Sequence, residues 1–283
     1  MPELPEVQTV VDDLKQSRLI GNTVTRVRVF YPRIIAEPTA SQFQRQVTGS
    51  TITGISRRGK YIILDLSTSI HWLIHLRMTG HIYIDSGKLR RGKHDHVVLG
   101  LADGRELRYH DPRKFGRFYL VDHPEKIVGK LGPEPLSKAF TAKMLATLFA
   151  PRKRMLKPLL LDQTFIAGLG NIYVDEALWD AKLHPCRNTG SLGVSEIRRL
   201  HRAIRRVLRQ GIKNKGTTLG AGETGFSSAT GRRGSNKTQL RIFRRTDMPC
   251  PRCQGAISRL IVGQRSSFVC ETCQSLNKEG DDQ

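Results

Sequence analysis

Four cysteines fall in two matched pairs, Cys250-Pro-Arg-Cys253 and Cys270-Glu-Thr-Cys273, with sixteen residues between them. Pairs at this spacing can give four thiolates to one tetrahedral Zn²⁺. A redox dithiol would need one pair beside a strand–helix–strand unit, not two matched pairs. The fifth cysteine, Cys186, stands alone and reads as an ordinary thiol. At the other end, Met1 precedes the small residue Pro2, and such a methionine is normally removed in cells. That would expose a secondary amine. An α-amine titrates near about 8, so a useful fraction is unprotonated at neutral pH. Attack by such an amine on an aldehyde-like carbon yields an iminium cation, an electron sink. Glu3, next in the chain, is placed to act as acid or base.

Other segments suit a nucleic acid. Gly168-Leu-Gly-Asn171 precedes a helical stretch over 172–181, with Asn171 as its expected N-cap. Free N–H groups at a helix start favour phosphate. Asp111-Pro-Arg-Lys-Phe-Gly-Arg117 is a turn that sets Phe115 among the cations Arg113, Lys114 and Arg117. An exposed aromatic in such company suits stacking on bases or wedging into a base step. Met78 and Lys60, each taken alone, read as a core residue and an ordinary surface lysine.

The elements that must hold these groups follow from periodicity. Residues 7–19 carry Val7, Val10, Val11 and Leu14 at helical spacing. Short segments rich in Val, Ile and Tyr follow at 24–30, 52–56, 61–66, 71–76, 81–84, 96–101, 106–109 and 117–121, which predicts an antiparallel sandwich. Pro133 and Pro135 mark a hinge over 132–138. Residues 139–211 read as helices; the longest, about 195–210, has Ile197, Leu200, Ile204, Val207 and Leu208 on one face and arginines on much of the rest. Residues 214–239 form a glycine-rich loop, long enough to be functional. The stretches 256–262 and 267–269 read as finger strands, joined by a turn over Gly263-Gln264-Arg265-Ser266 that projects Arg265 outward. The predicted class is α+β: a sandwich over 1–131, a helical domain over 139–239 and a zinc finger over 240–275.

Composition narrows the partner. Lys plus Arg number 47 against 25 Asp plus Glu, a net charge of +22, and both halves of the chain are basic. Such an imbalance points to a polyanion. No apolar run approaches the ~18 residues that span a bilayer. The start has no signal-peptide pattern, so a cytoplasmic location is expected, where thiols stay reduced or bind metal.

Seven motifs occur in one order: Pro2-Glu-Leu-Pro-Glu6, Gly59-Lys60, His75-Leu-Arg-Met-Thr-Gly80, Asp111-Pro-Arg-Lys-Phe-Gly116, Lys157-Pro-Leu-Leu-Leu-Asp-Gln163, Gly168-Leu-Gly-Asn-Ile-Tyr173 and the four-cysteine finger with Gln264-Arg265. Over about residues 2–273 the chain resembles the formamidopyrimidine-DNA glycosylases. That resemblance implies an N-terminal β-sandwich, a helix–two-turn–helix domain and a zinc finger. It implies a glycosylase and abasic-site lyase acting on oxidised purines. Pro2 matches the nucleophile, Glu3 the acid/base, and Lys60 a catalytic lysine that contacts phosphate. Glu6 matches a second acidic residue near the nucleophile. His75, Asn171 and Arg265 match groups that grip phosphates around the flipped nucleotide, Arg265 being counted with the catalytic set. Met78, Arg113 and Phe115 match the plug left behind in the duplex. Lys157 matches a lysine associated with 8-oxoguanine processing. Cys250, Cys253, Cys270 and Cys273 would hold one structural Zn²⁺. The resemblance further implies no organic cofactor, damaged double-stranded DNA as partner, no membrane association, and a monomeric bacterial enzyme acting at the nucleoid.

Lys114 stands where the family commonly has Arg, Lys215 stands where glycine is frequent, and 221–237 matches poorly. Two alternatives remain at this level: an endonuclease VIII-type glycosylase for oxidised pyrimidines, and a non-catalytic zinc-finger DNA-binding protein.

Overall fold

The structure, a computed structural model, describes residues 1–220 and 225–276. The chain divides into two compact units, Met1–Lys130 with Gly211–Lys237, and Leu131–Gln210 with Thr238–Gln283. This differs from the expected 139–239 domain. The glycine-rich segment groups with the sandwich, because Ala229 and Phe226 pack against that unit's core. Residues 221–224 of that loop lie outside the described residues.

The first unit opens with helix α1 (Leu4–Gln16), whose buried Val7, Val10, Val11 and Leu14 repeat at the helical period. Two sheets follow. One contains β1 (Val24–Val29), β6 (His81–Asp85), β7 (Asp95–Leu101) and β8 (Glu106–His110), in the order β1-β7-β8-β6. The other contains β2 (Ile35–Glu37), β3 (Ile52–Arg58), β4 (Tyr61–Leu66), β5 (His71–His75) and β9 (Arg117–Val121), in the order β2-β9-β5-β4-β3. Val97, Leu99 and Leu107 of the first share one core with Leu64, Trp72, Ile74 and Phe118 of the second. Each fully buried side chain of this size contributes about 1.5–3 kcal/mol relative to exposure. The expected sandwich is therefore present, with one amendment: β2 pairs parallel with β9, so the five-stranded sheet is mixed. Helix α2 (Ala40–Val47) buries its own Phe43 and Val47 in the core; neither it nor β2 was expected.

Strand register sets the functional end of the five-stranded sheet. Tyr61 pairs with His75, and His75 pairs with Arg117. The β3–β4 turn, the exit of β5 and the entry to β9 therefore lie together. That turn is the two residues Gly59-Lys60, with Gly59 at φ +56°. Glycine takes this left-handed conformation without strain, as a two-residue hairpin needs.

The second unit holds α4 (Ala142–Phe149), α5 (Leu156–Leu161), α6 (Asn171–Asp180), most of α7 (Val194–Lys213) and the finger hairpin, β10 (Ser258–Val262) with β11 (Arg265–Val269). A short helix, α3 (Glu125–Val128), precedes the boundary. The Arg205 guanidinium of α7 donates to the carbonyls of Pro135 and Ser137 and holds down the expected hinge. No described helix is long and apolar enough to cross a membrane.

Candidate functional site

In the first unit, Pro2, Glu3 and Glu6 are all buried, Glu3 at 2% and Glu6 at 1% exposed. A chain terminus is ordinarily the most solvated part of a domain, so this burial needs a cause. Glu6 supplies it. One carboxylate oxygen accepts from the Glu3 N–H at 2.8 Å and the other from the Thr217 N–H at 2.7 Å. Gly216 permits that approach, since a Cβ there would sit 3.0 Å from Glu6 Cγ and 2.9 Å from the Phe226 ring. Glu6 is thus the clamp of the terminus.

Lys60 is buried at 6% exposed. Its turn is tied to α1: Arg57 donates to Gln8 Oε1 at 2.9 Å and to the Gly59 carbonyl at 2.8 Å. His75 lies across the sheet from Tyr61, with ring centroids 4.7 Å apart. Burial, then the charges of Arg77 and Lys60, push its pKa down to about 3. It is neutral at physiological pH. Its Nδ1 accepts from the Arg77 N–H at 3.0 Å, which leaves the ring proton on Nε2, a neutral donor suited to a phosphate oxygen.

Met78 and Phe115 stay exposed, at 38% and 47%. The Arg113 guanidinium lies over the Phe115 ring at 4.6 Å. Both carrying loops are held from below by Asp111, which is fully buried. It accepts from Thr79 Oγ1, from Tyr109 OH at 3.1 Å and from Gly116 N–H at 2.8 Å. Tyr109 presses on both loops. A Cβ on Gly80 or on Gly116 would fall 2.2 Å or 1.7 Å from its hydroxyl oxygen. Arg77 and Lys114, just before Met78 and Phe115, are both left-handed, at φ +56° and +59°. The exposure of Met78 and the burial of Lys60 both reverse what each residue suggests alone; the motif resemblance pointed to them, and nothing in the sequence pointed to this buried hub.

In the second unit, Gln163 splints the turn before α6. Its amide donates to the carbonyls of Leu161 and Leu169 and accepts from Gly168 N–H, with Gly168 at φ +88°. Gly170, not Asn171, is the N-cap; Asn171 is the first helical residue. The expected cap fails because Asn171 Nδ2 is drawn across to the Ser266 carbonyl at 2.9 Å, which ties α6 to the finger. The finger turn is only Gly263-Gln264, both left-handed, so Arg265 begins β11 opposite Val262 rather than sitting in the turn. It remains exposed. Asn171 and Arg265 line one concavity of about 660 Å³, together with Arg244 and Arg259, two cations that sequence reasoning did not single out.

Lys157 requires the firmest correction as a DNA contact. It is fully buried, donating to Asp175 Oδ1 at 2.6 Å and to the Ser266 carbonyl at 2.9 Å. Asp175 Oδ2 accepts from the Phe268 N–H at 3.2 Å. Burial pushes the Asp175 carboxyl up, to about 7, against the pull of Lys157. The pair braces α5, α6 and β11 from within and offers no charge to solvent.

The four expected cysteines converge, with all four Sγ atoms within 4.8 Å of one another. Cys253 and Cys270 are 3.3 Å apart, Cys250 and Cys273 4.0 Å. A tetrahedral Zn–S bond of about 2.3 Å places sulfurs about 3.8 Å apart, so the all-thiol set fits a structural Zn²⁺. Trp179 of α6 donates to Cys250 Sγ at 3.4 Å, and buried Gln274 donates to the Leu183 carbonyl, docking the finger on the helices.

Three family models match. Residues 1–118 match the formamidopyrimidine-DNA glycosylase N-terminal domain, 131–222 its H2TH domain, and 249–276 the zinc finger found in FPG and IleRS. The chain belongs to the formamidopyrimidine-DNA glycosylase (Fpg) family. The Fpg of Protochlamydia amoebophila is 47% identical over 97% of this chain and 99% of its own, and that of Pelotomaculum thermopropionicum 42% over 98% and 100%. A Lactococcus lactis Fpg mutant complexed with Fapy-dG DNA superposes with a TM-score of 0.90 at 37% identity, over 97% of this chain and 100% of that one. The same organism's Fpg on abasic-site DNA gives 0.89 at 36%, over 96% and 99%. Within the Fpg family frame, the resemblance read from the motifs, the α+β fold and the zinc finger stand. The endonuclease VIII-type and non-catalytic alternatives are not favoured.

Proposed function

We propose that the protein excises oxidised purines from duplex DNA and then cleaves the strand at the abasic sugar. The observation that carries this reading is the burial of Pro2 and Glu3 at a terminus clamped by Glu6. The Glu3–Glu6 pair is also the capping box of α1, but the bond from Thr217, more than two hundred residues away, is one that a solvated terminus has no need of. The relatives named above, one bound to Fapy-dG DNA and one to abasic-site DNA, support it.

With Met1 removed, the Pro2 nitrogen attacks C1′ of the flipped nucleotide. The C1′–base bond breaks, and the base leaves with the proton that the Pro2 nitrogen gives up. Glu3 protonates the sugar ring oxygen, the ring opens, and C1′ becomes an iminium carbon. A secondary amine has no second proton to lose, so the charge stays and acidifies C2′. Removal of the C2′ proton, assisted by Glu3, expels the 3′ phosphate. A second elimination expels the 5′ phosphate, and water releases Pro2 from the sugar fragment. Lys60 and neutral His75 hold phosphates beside this carbon; Asn171 and Arg265 grip the phosphate backbone as well. Flipping costs a few kcal/mol of stacking and pairing. Met78 and Phe115 recover apolar contact, and Arg113 hydrogen-bonds the widowed base. The zinc ion, when bound, folds the finger and takes no part in the reaction.

The test compares excision rates on 8-oxoguanine opposite cytosine, formamidopyrimidine and thymine glycol duplexes. The purine lesions are expected to be processed faster. A steady preference for thymine glycol at every salt concentration would overturn the substrate class.

A further inference from the structure

The concavity at the start of α6 carries more positive charge than the expected phosphate contacts account for. Beside Asn171 and Arg265 it is lined by Arg244 and Arg259, over an aromatic floor of Phe243 and Phe268. All three arginines are exposed, and none lies within ion-pair distance of a carboxylate among the described residues. The buried acid of this region, Asp175, is already held by Lys157 and the Phe268 N–H. Like charges gathered without counter-charge repel one another, so their placement calls for an anion.

Two details say that the placement is specific. Arg244 sits at φ +59°, a left-handed conformation that non-glycine residues rarely adopt. Such outliers cluster at ligand-binding sites. Arg259 is aimed rather than free: its Nε and one terminal nitrogen donate to Ser266 Oγ at 3.2 and 2.8 Å. Ser266 is also the residue whose carbonyl fixes Asn171. One residue thus orients both a helix-end amide and a guanidinium around the same hollow.

We propose that Arg244 and Arg259 form a second phosphate seat beside the one at Asn171 and Arg265, so that the finger grips two phosphates of the DNA strand. This rests on the DNA-repair reading above and deepens it. The grip would be reflected in salt dependence, because each phosphate neutralised on duplex DNA contributes about −0.9 to the slope of log K against log salt.

The experiment measures binding of the full-length, zinc-loaded protein to undamaged and abasic-analogue duplexes across a salt series. The variants are Arg244→Gly, Arg259→Gln and the double. Each single change is expected to make the slope shallower by up to about 0.9, and the double change to do so further. Arg244→Gly is also expected to raise the Tm, because glycine relaxes at φ +59°. Weaker binding from a more stable protein cannot be misfolding. Slopes equal to wild type in both single variants would overturn the proposal, as would weakening that is uniform at all salt concentrations. If the wild type binds DNA but excises nothing, the proposed function fails while the slope comparison is still decided.

Discussion

His75 shows how burial chooses a chemical role. A charged imidazole would grip phosphate more strongly, yet the buried site beside Arg77 and Lys60 keeps the ring neutral, with its pKa pushed down to about 3. In the unfolded chain an ordinary histidine binds its proton near about 6.5. As pH falls below that value the unfolded state takes up a proton that the folded state refuses. Stability from this group is therefore complete above about 6.5 and lost as pH falls toward 3. Denaturant melts at pH 7 and pH 5 should show the wild type losing up to about 2 kcal/mol more than His75→Gln. Equal losses would contradict the burial argument. Lys157 makes the opposite point. Its removal leaves the Asp175 carboxylate buried without a cation, which costs about 3–5 kcal/mol. Lys157→Ala should lower the Tm and weaken DNA binding at every salt concentration with no change in salt slope. A shallower slope would restore it as a phosphate contact.

At the scale of elements, two loops and a finger do the presenting. The loops bearing Met78 and Phe115 converge because Asp111 and Tyr109 hold both from beneath. Gly116→Ala would drive a methyl group into the Tyr109 hydroxyl, an overpacking cost of about 1–3 kcal/mol. Lesion binding should fall as the loops part, and a variant with wild-type Tm and affinity would show that they are independent. The finger depends on metal, since four thiolates couple zinc affinity to folding. Cys273→Ser should abolish tight DNA binding and leave the sandwich folded. A zinc-free preparation that binds duplex normally would contradict this. The strands were legible because each is a short run rich in Val, Ile or Tyr, and in Tyr61–Leu66 four of the six residues, Ile62, Ile63, Leu64 and Leu66, are buried. Three-residue β2 is too short to show a period. Left-handed Arg77, Lys114 and Arg244 are not glycines, so nothing in the sequence marked their conformation. The burial of Lys157 depends on Asp175, eighteen residues away on another helix, a pairing that no local pattern reveals.

For the whole molecule, a charge of +22 supplies the attraction to DNA, while in the proposed function the buried terminus carries the chemistry. The two claims separate experimentally: charge governs binding, and Pro2 governs covalent capture. The direct measurement is borohydride trapping on a duplex carrying one oxidised purine, followed by mass spectrometry of the cross-linked peptide. The account predicts that protein with a free Pro2 forms the adduct and carries the sugar on residue 2. It also predicts that protein retaining Met1 or an N-terminal tag, whose Pro2 nitrogen is an amide with a delocalised lone pair, binds the duplex but forms none. An adduct on Lys60, or efficient trapping by the blocked protein, would contradict it.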